Sequence, residues 1–162
     1  MAVIDLKQTT LFILDGTSPT QLTVEVKIGE GNMTYSERRN MDYILDKGLL
    51  DTVREGDQVP VEVRFDFQWE FLKTDGAGPP PTVEEALKNE GAASAWISSA
   101  TDPCEPYAVD IRLTNTPVCP GVKNEEIYLA DFRWESLDHD LRANSVAVSG
   151  QANITRAAIT RN

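Results

Sequence analysis

The stretch Gln58-Val59-Pro60-Val61-Glu62-Val63-Arg64-Phe65-Asp66-Phe67-Gln68-Trp69-Glu70-Phe71-Leu72 decides the fold class. Val59, Val61, Val63, Phe65, Phe67, Trp69 and Phe71 fall on every second position, and between them stand Pro60, Glu62, Arg64, Asp66, Gln68 and Glu70. A helix would scatter these residues around its circumference. A strand sends successive side chains to opposite faces, so this run predicts a β-strand with one buried and one polar face. At ~3.3 Å per residue the run would span roughly 40–45 Å. Strands usually have about five or six residues. One this long suits a large sheet, a barrel, or a ribbon that projects from its own domain.

Working outward, Leu22, Val24, Val26 and Ile28 alternate with Thr23, Glu25 and Lys27 in the same way. Val3–Lys7 and Thr10–Leu14 are short β-favouring stretches, and Asp15-Gly16 with Ser18-Pro19 supplies turn chemistry. Tyr107, Val109, Ile111 and Leu113 form another alternating run, as do Val146, Val148, Gly150, Ala152 and Ile154. In the stretch from Ile127 to Trp134, Ile127 and Leu129 share one phase whereas Ala130, Phe132 and Trp134 share the other. That switch predicts a bulge, or a strand that crosses from one sheet to another. Thr82 with Glu85 three residues on makes a capping box, so Thr82–Glu90 is the predicted helix, with Gly91 as its stop. Ala92–Ser99 reads as an extension of it or a further strand. Residues 29–57 read as a long charged loop whose second half, with Ile44, Leu45, Leu49, Leu50 and Val53, forms a short helix or turn. The last residues, with Arg156 and Arg161, form a short basic tail. The sum is one mainly β domain over 1–162: a β-sandwich or partial barrel with one flanking α-helix and a long β-ribbon.

Composition narrows the function. The chain has 162 residues, 41% of them hydrophobic, with 15 Lys and Arg against 26 Asp and Glu, a net charge of −11. Phosphate binding is driven by basic residues releasing counterions, so this balance argues against a surface that grips DNA or anionic lipid. No signal peptide and no run long enough to span a bilayer are visible. Cys104 and Cys119 flank a predicted strand and read as reduced thiols. With His139 the single histidine, Cys and His alone cannot complete a four-ligand zinc site. Asp138-His139-Asp140 reads as a surface turn, and Glu84-Glu85 and Glu125-Glu126 have structural roles at a helix start and a strand start. Trp69 and Trp134 read as core residues rather than a stacking platform. No catalytic set, cofactor site or metal site emerges, which points to a structural protein and away from an enzyme.

Several segments carry a family resemblance. They are Gly29-Glu30-Gly31-Asn32-Met33-Thr34-Tyr35, the run Leu45 to Asp57, the strand ending Gln68-Trp69-Glu70-Phe71, the helix from Thr82 to Lys88, Asp102-Pro103-Cys104-Glu105-Pro106, and Phe132-Arg133-Trp134-Glu135 with Ser145–Asn153. In that order they resemble the tail tube (major tail) protein of long-tailed, non-contractile bacteriophages. The resemblance implies subunits that form hexameric rings and stack into a tube. Each subunit gives a β-ribbon to a shared barrel, through which DNA passes without specific binding. It implies a virion protein assembled in the host cytoplasm, with tape-measure, tail-terminator and distal-tail proteins as partners. On that reading Glu62, Asp66 and Glu70 are candidates to face the lumen, although Arg64 shares their face. Glu37, Arg38, Arg39 and Arg54 are candidates for contacts between subunits. The alternatives are a monomeric or small-oligomer β-sandwich that binds a ligand or acts as an adhesin, and another tail or secretion component: a contractile-tail tube, a type VI tube protein, or a tail terminator that stops at one ring.

Overall fold

The computed structural model describes residues 6–27, 33–69 and 81–162. In chain order the elements are β1 (Thr9–Leu14), β2 (Thr23–Val26), β3 (Met33–Ser36), β4 (Arg39–Asp46), β5 (Leu49–Gln58), β6 (Val61–Gln68), α1 (Val83–Lys88), β7 (Val109–Asn115), β8 (Glu125–Asp140), β9 (Ser145–Ala152) and β10 (Ala158–Arg161). Eight strands form one antiparallel sheet in the order β2-β1-β7-β8-β9-β6-β3, with β10 also on β8. The remaining two, β4 and β5, make a separate two-stranded ribbon.

The deciding run is a buried strand, as its alternation requires. Val61, Val63, Phe65 and Phe67 are all buried, while Glu62, Arg64 and Asp66 are not. Its start is corrected, however. The strand β6 begins at Val61 and runs 8 residues to Gln68, because Gln58 closes β5 and Val59-Pro60 interrupts the ladder; Glu70, Phe71 and Leu72 of the run lie outside the described residues. Pro60 has no N–H to give, which accounts for a break there. The strand that is long is β8, with 16 residues.

β8 is the hinge of the architecture. Its first half pairs with β7 on one side and β10 on the other, and its second half pairs with β9. The changeover is a bulge. Leu129 faces Ile111 and Phe132 faces Val109, so Ala130 and Asp131 together oppose the single residue Asp110. Asp131 has φ 54°, the left-handed region that a bulge uses. This is the phase switch that the sequence shows between Leu129 and Ala130. The bulge lets Phe132 face the same interior as Ile127 and Leu129 despite the change of parity. One core results, filled from the first half by Leu11, Ile13, Ile111 and Leu129, and from the second by Phe65, Phe132, Val146 and Val148. The Phe65 and Phe132 rings lie 6.2 Å apart. Gly150 on β9 sits beneath this ring: a Cβ there would come within 2.9 Å of Phe132 and 2.2 Å of the Arg133 carbonyl. At the far end of the path the Gln68 N–H donates to the Lys27 carbonyl (2.9 Å), so the ends of the bent sheet also meet and the body is a partial barrel.

The helix α1 is capped as predicted. The Glu85 N–H donates to Thr82 Oγ1, and the Thr82 N–H donates to Glu85. It ends earlier than Gly91, because Asn89 takes the left-handed cap with φ 56°. Residues beyond it are neither more α-helix nor strand, but a 3₁₀ turn at Gly91–Ala93 followed by irregular chain. Ala86 and Leu87 bury the helix against the core, and the Tyr107 hydroxyl donates to the Ala86 carbonyl. Two tryptophan expectations are corrected: Trp69 and Trp134 are partly exposed, and Trp96 is the buried one. The C-terminal tail is also corrected, since Ala158–Arg161 is a strand paired with the start of β8.

Candidate assembly interface

The segment read as a charged loop with a short helix is instead strand β3 followed by a β-hairpin. Asp46 pairs with Leu49 across Lys47 (φ 50°) and Gly48 (φ 80°). Two positive φ values in a two-residue loop make a type I′ turn, whose twist matches that of the flanking strands. Asp46-Lys47-Gly48-Leu49 between Tyr43, Leu45 and Leu50, Val53 was the sequence signal for it. Over its 10 residues β5 extends about 30 Å.

The ribbon stands clear of the body. Every residue of β4 and β5 except Met41 and Gly56 is exposed. In an antiparallel pair, residues directly opposite share a face. One face therefore carries Met41 with Glu55, Tyr43 with Val53, and Leu45 with Leu50. The other carries Asp42 with Arg54, Ile44 with Thr52, and Asp46 with Leu49, and the Asp42–Arg54 pair is an ion pair of 3.1 Å. The first face is almost wholly apolar and the second mostly polar. Leu49 is 73% exposed, Leu50 79% and Tyr43 64%. Isolated two-stranded hairpins are marginal in water, and contiguous exposed apolar surface of this kind marks an interaction site.

Where the ribbon leaves the body lies a cleft of about 450 Å³, lined by Glu37, Arg38, Arg39, Glu55, Gln58 and Val59, with Thr155 and Arg156. Three of the four residues expected at subunit contacts thus gather here, and Arg54 lies out on the ribbon. Arg38 reaches Glu62 at 3.7 Å, and the Glu37 carboxylate accepts the Ala157 N–H. Arg39 and Arg156 have no ion pair among the described residues. The lumen candidates Glu62 and Asp66 lie on the polar face of β6, half-buried, in register with Gln151 and Ala147 of β9. Glu70 lies outside the described residues.

At the opposite end of the same strands, α1 is tied to β8 through Glu84. This carboxylate takes Lys88 at 2.7 Å and His139 at 3.2 Å, and the Lys88 hydrogen bond holds it below the usual carboxylate range, with a lesser contribution from His139. The Trp69 ring meets His139 edge-on at 5.9 Å.

The buried polar groups serve the fold. Asp15 is fully buried. Burial pushes its carboxyl up, but the Thr17 hydroxyl and the N–H groups of Leu22, Thr17 and Ile97 outweigh that and hold it low. Asp110 accepts from the Tyr128 hydroxyl and from the Asp131 N–H at the β8 bulge, and Gln21 closes the network. Burial and the bond to Asp110 push Tyr128 up to about 12. Burial, then the charge of Asp110, raises Asp131. Among the described residues no three His, Cys, Asp or Glu side chains are grouped to hold a metal ion. No helix among them is long and apolar enough to cross a membrane. Both cysteines are free and exposed.

No protein-family model matches the chain, and no curated protein matches it in sequence. Solved structures do match. One is the sheath/tube terminator of an extracellular contractile injection system, PVC, in its extended state, with TM-score 0.54, 10% identity, and coverage of 99% of this chain and 98% of that one. Another is the tube-terminating cap of the anti-feeding prophage, AFP, with TM-score 0.52, 13% identity, and coverage of 100% and 93%. The chain is thus mainly β with the fold of these two proteins over nearly its whole length, and the first of them belongs to a contractile system rather than to the non-contractile tube the sequence resembles.

Proposed function

We propose that the chain is a structural, ring-forming component of a phage-like tail, placed where the tube ends, and that each copy uses its β4–β5 ribbon to grip its neighbours. The observation that carries this reading is the ribbon: an ordered hairpin with one apolar face that nothing among the described residues covers. Burying a side chain such as Leu50 or Tyr43 against a neighbour contributes roughly 1.5–3 kcal/mol, before the costs of association. The likeness of fold to two tube-ending proteins supports the terminal position, and the sequence resemblance supports a ring of six. On this reading the protein belongs to a virion or injection particle, meets tape-measure or tube proteins on one side, and catalyses nothing.

The test is assembly. Negative-stain microscopy and mass photometry of the purified protein are expected to show single closed rings. The pair Leu45→Lys and Leu50→Lys is expected to abolish them while leaving the melting temperature of the body unchanged. Long stacked tubes would move the reading from terminator to tube. A species that is monomeric at every concentration, or rings that survive the double substitution, would overturn it.

A further inference from the structure

Among the described residues, the two ends of the β6–β9 layer differ in the charges left without an ion pair: two arginines beside Glu55 at one, the β8 carboxylates at the other. At the ribbon root, Arg39 and Arg156 enter the cleft from two separate segments and find no ion pair among the described residues. Glu37 there is occupied by the Ala157 N–H. At the other end β8 finishes in Asp138 and Asp140, both exposed, with exposed Glu135 nearer the middle of the strand, at its bulge level with Val63 and Arg64. Asp138 and Asp140 share a face, and none of the three meets a cation among the described residues. Among the described residues Asp138 hydrogen-bonds with Ser136, and Asp140 with the N–H groups of its own turn. The two ends are set by the ladder: Val61 pairs with Ala152 at the root, and Gln68 with Ser145, itself opposite Asp140, at the far end. Eight residues separate them along β6, about 25 Å.

Resting on the self-assembly proposed above, we infer that the root cleft is a docking site for the acidic β8 end of a second copy of this chain. The contact is heterologous: every copy offers its β8 end and receives another in its cleft, so the arrangement closes into a ring or continues as a stack according to its rotation. Charge selects this occupant. The cleft lining holds Glu37 and Glu55 beside three arginines, and with Arg38 paired to Glu62 it is Arg39 and Arg156 that are left to receive a carboxylate from another copy, in a chain of net charge −11. A nucleic-acid backbone would instead meet the repulsion of the whole molecule. Arginine suits the task because its planar fork takes a carboxylate in two hydrogen bonds.

A charge-swap experiment tests this. One variant carries Arg39→Glu and Arg156→Glu, and the other Glu135→Lys and Asp138→Lys; Asp140 is kept because it holds its turn. Circular dichroism and thermal melting check that both fold. Each variant alone is expected to show an association constant lowered at least about tenfold by analytical ultracentrifugation. An equimolar mixture is expected to regain association to within about threefold of the native protein, because both alternating junctions are then complementary. Association of the native protein is expected to weaken as salt is raised. If the single variants associate like the native chain, or the mixture stays dissociated, the docking inference fails while the ring reading stands. A native chain that never associates overturns both.

Discussion

Asp131 shows how much a single position is asked to do. It takes a left-handed backbone at the crossing bulge, presents its N–H to Asp110, and keeps its own carboxylate half-buried beside that charge. Its carboxyl is raised above the ordinary value of 3.8 by burial and then by Asp110. A carboxylate whose folded-state value is raised opposes folding when ionised, and the opposition fades as pH falls through that raised value. Asn tolerates a positive φ and keeps a side-chain oxygen for the Ser99 hydroxyl. Asp131→Asn is therefore expected to stabilise the protein at pH 7 by up to about 1 kcal/mol, discounted for partial exposure. The gap should close below the ordinary aspartate value. Urea titrations at neutral and acid pH check this, and lower stability of the variant at pH 7 would refute it. Asp15 has the opposite sign: its hydrogen bonds hold it low, so its contribution is present above the unfolded value and lost in acid.

At the scale of elements, the sequence disclosed what local periodicity encodes. β6, β7 and β9 are legible because their alternation is set by one buried face, and α1 because Thr82 and Glu85 carry their own cap. The bulge in β8 is legible because a change of parity is itself a pattern. The ribbon was misread for a physical reason. Its apolar residues answer to no core within the chain, so Ile44, Leu45, Leu49 and Leu50 resemble a helical stripe when their partner surface is unknown. The Asp51 bulge, left unpaired between Thr52 and Leu50, adds a break in the alternation. The start assigned to β6 differs because periodicity runs on through Val59-Pro60, where the ladder does not. The root cleft was half-visible: Glu37, Arg38 and Arg39 stand together in sequence, but Arg156 joins them only through the fold. The turn itself gives an element-scale prediction. Placing a β-branched residue at φ 80° costs about 1–2 kcal/mol. Gly48→Val is expected to melt the ribbon, seen as loss of amide exchange protection over β4 and β5, while the melting temperature of the body stays unchanged. A drop in the body's melting temperature would show that the ribbon is not an independent unit.

For the whole molecule, the main question is which surface meets solvent once copies assemble. The ribbon's apolar face, the root cleft and the acidic end of β8 are all assigned to protein contacts by the proposals above. That leaves the polar face of β6 as a candidate channel wall, with Glu62 held by Arg38 and Asp66 half-buried. Glu62→Lys with Asp66→Lys is expected to leave rings intact by microscopy while impairing DNA delivery by the assembled particle. Loss of folding would show that this face is covered within the subunit instead. The acidic balance, which argues against a surface that grips DNA, acquires a positive role in such an assembly, because a wall of the same sign as DNA lets the polymer slide.

The shared strand β8 has a mechanical consequence. Its two halves belong to different parts of the bent sheet, yet they are one covalent chain joined at Ala130–Asp131. A load applied at the ribbon root enters β6 and β9, passes by ladder bonds into the second half of β8, and crosses to β7 and β1 along peptide bonds. The two halves cannot shear past one another without breaking that backbone or tearing out its ladder. A subunit built this way transmits tension as one piece, which is what the proposed place at the end of a tube would ask of it.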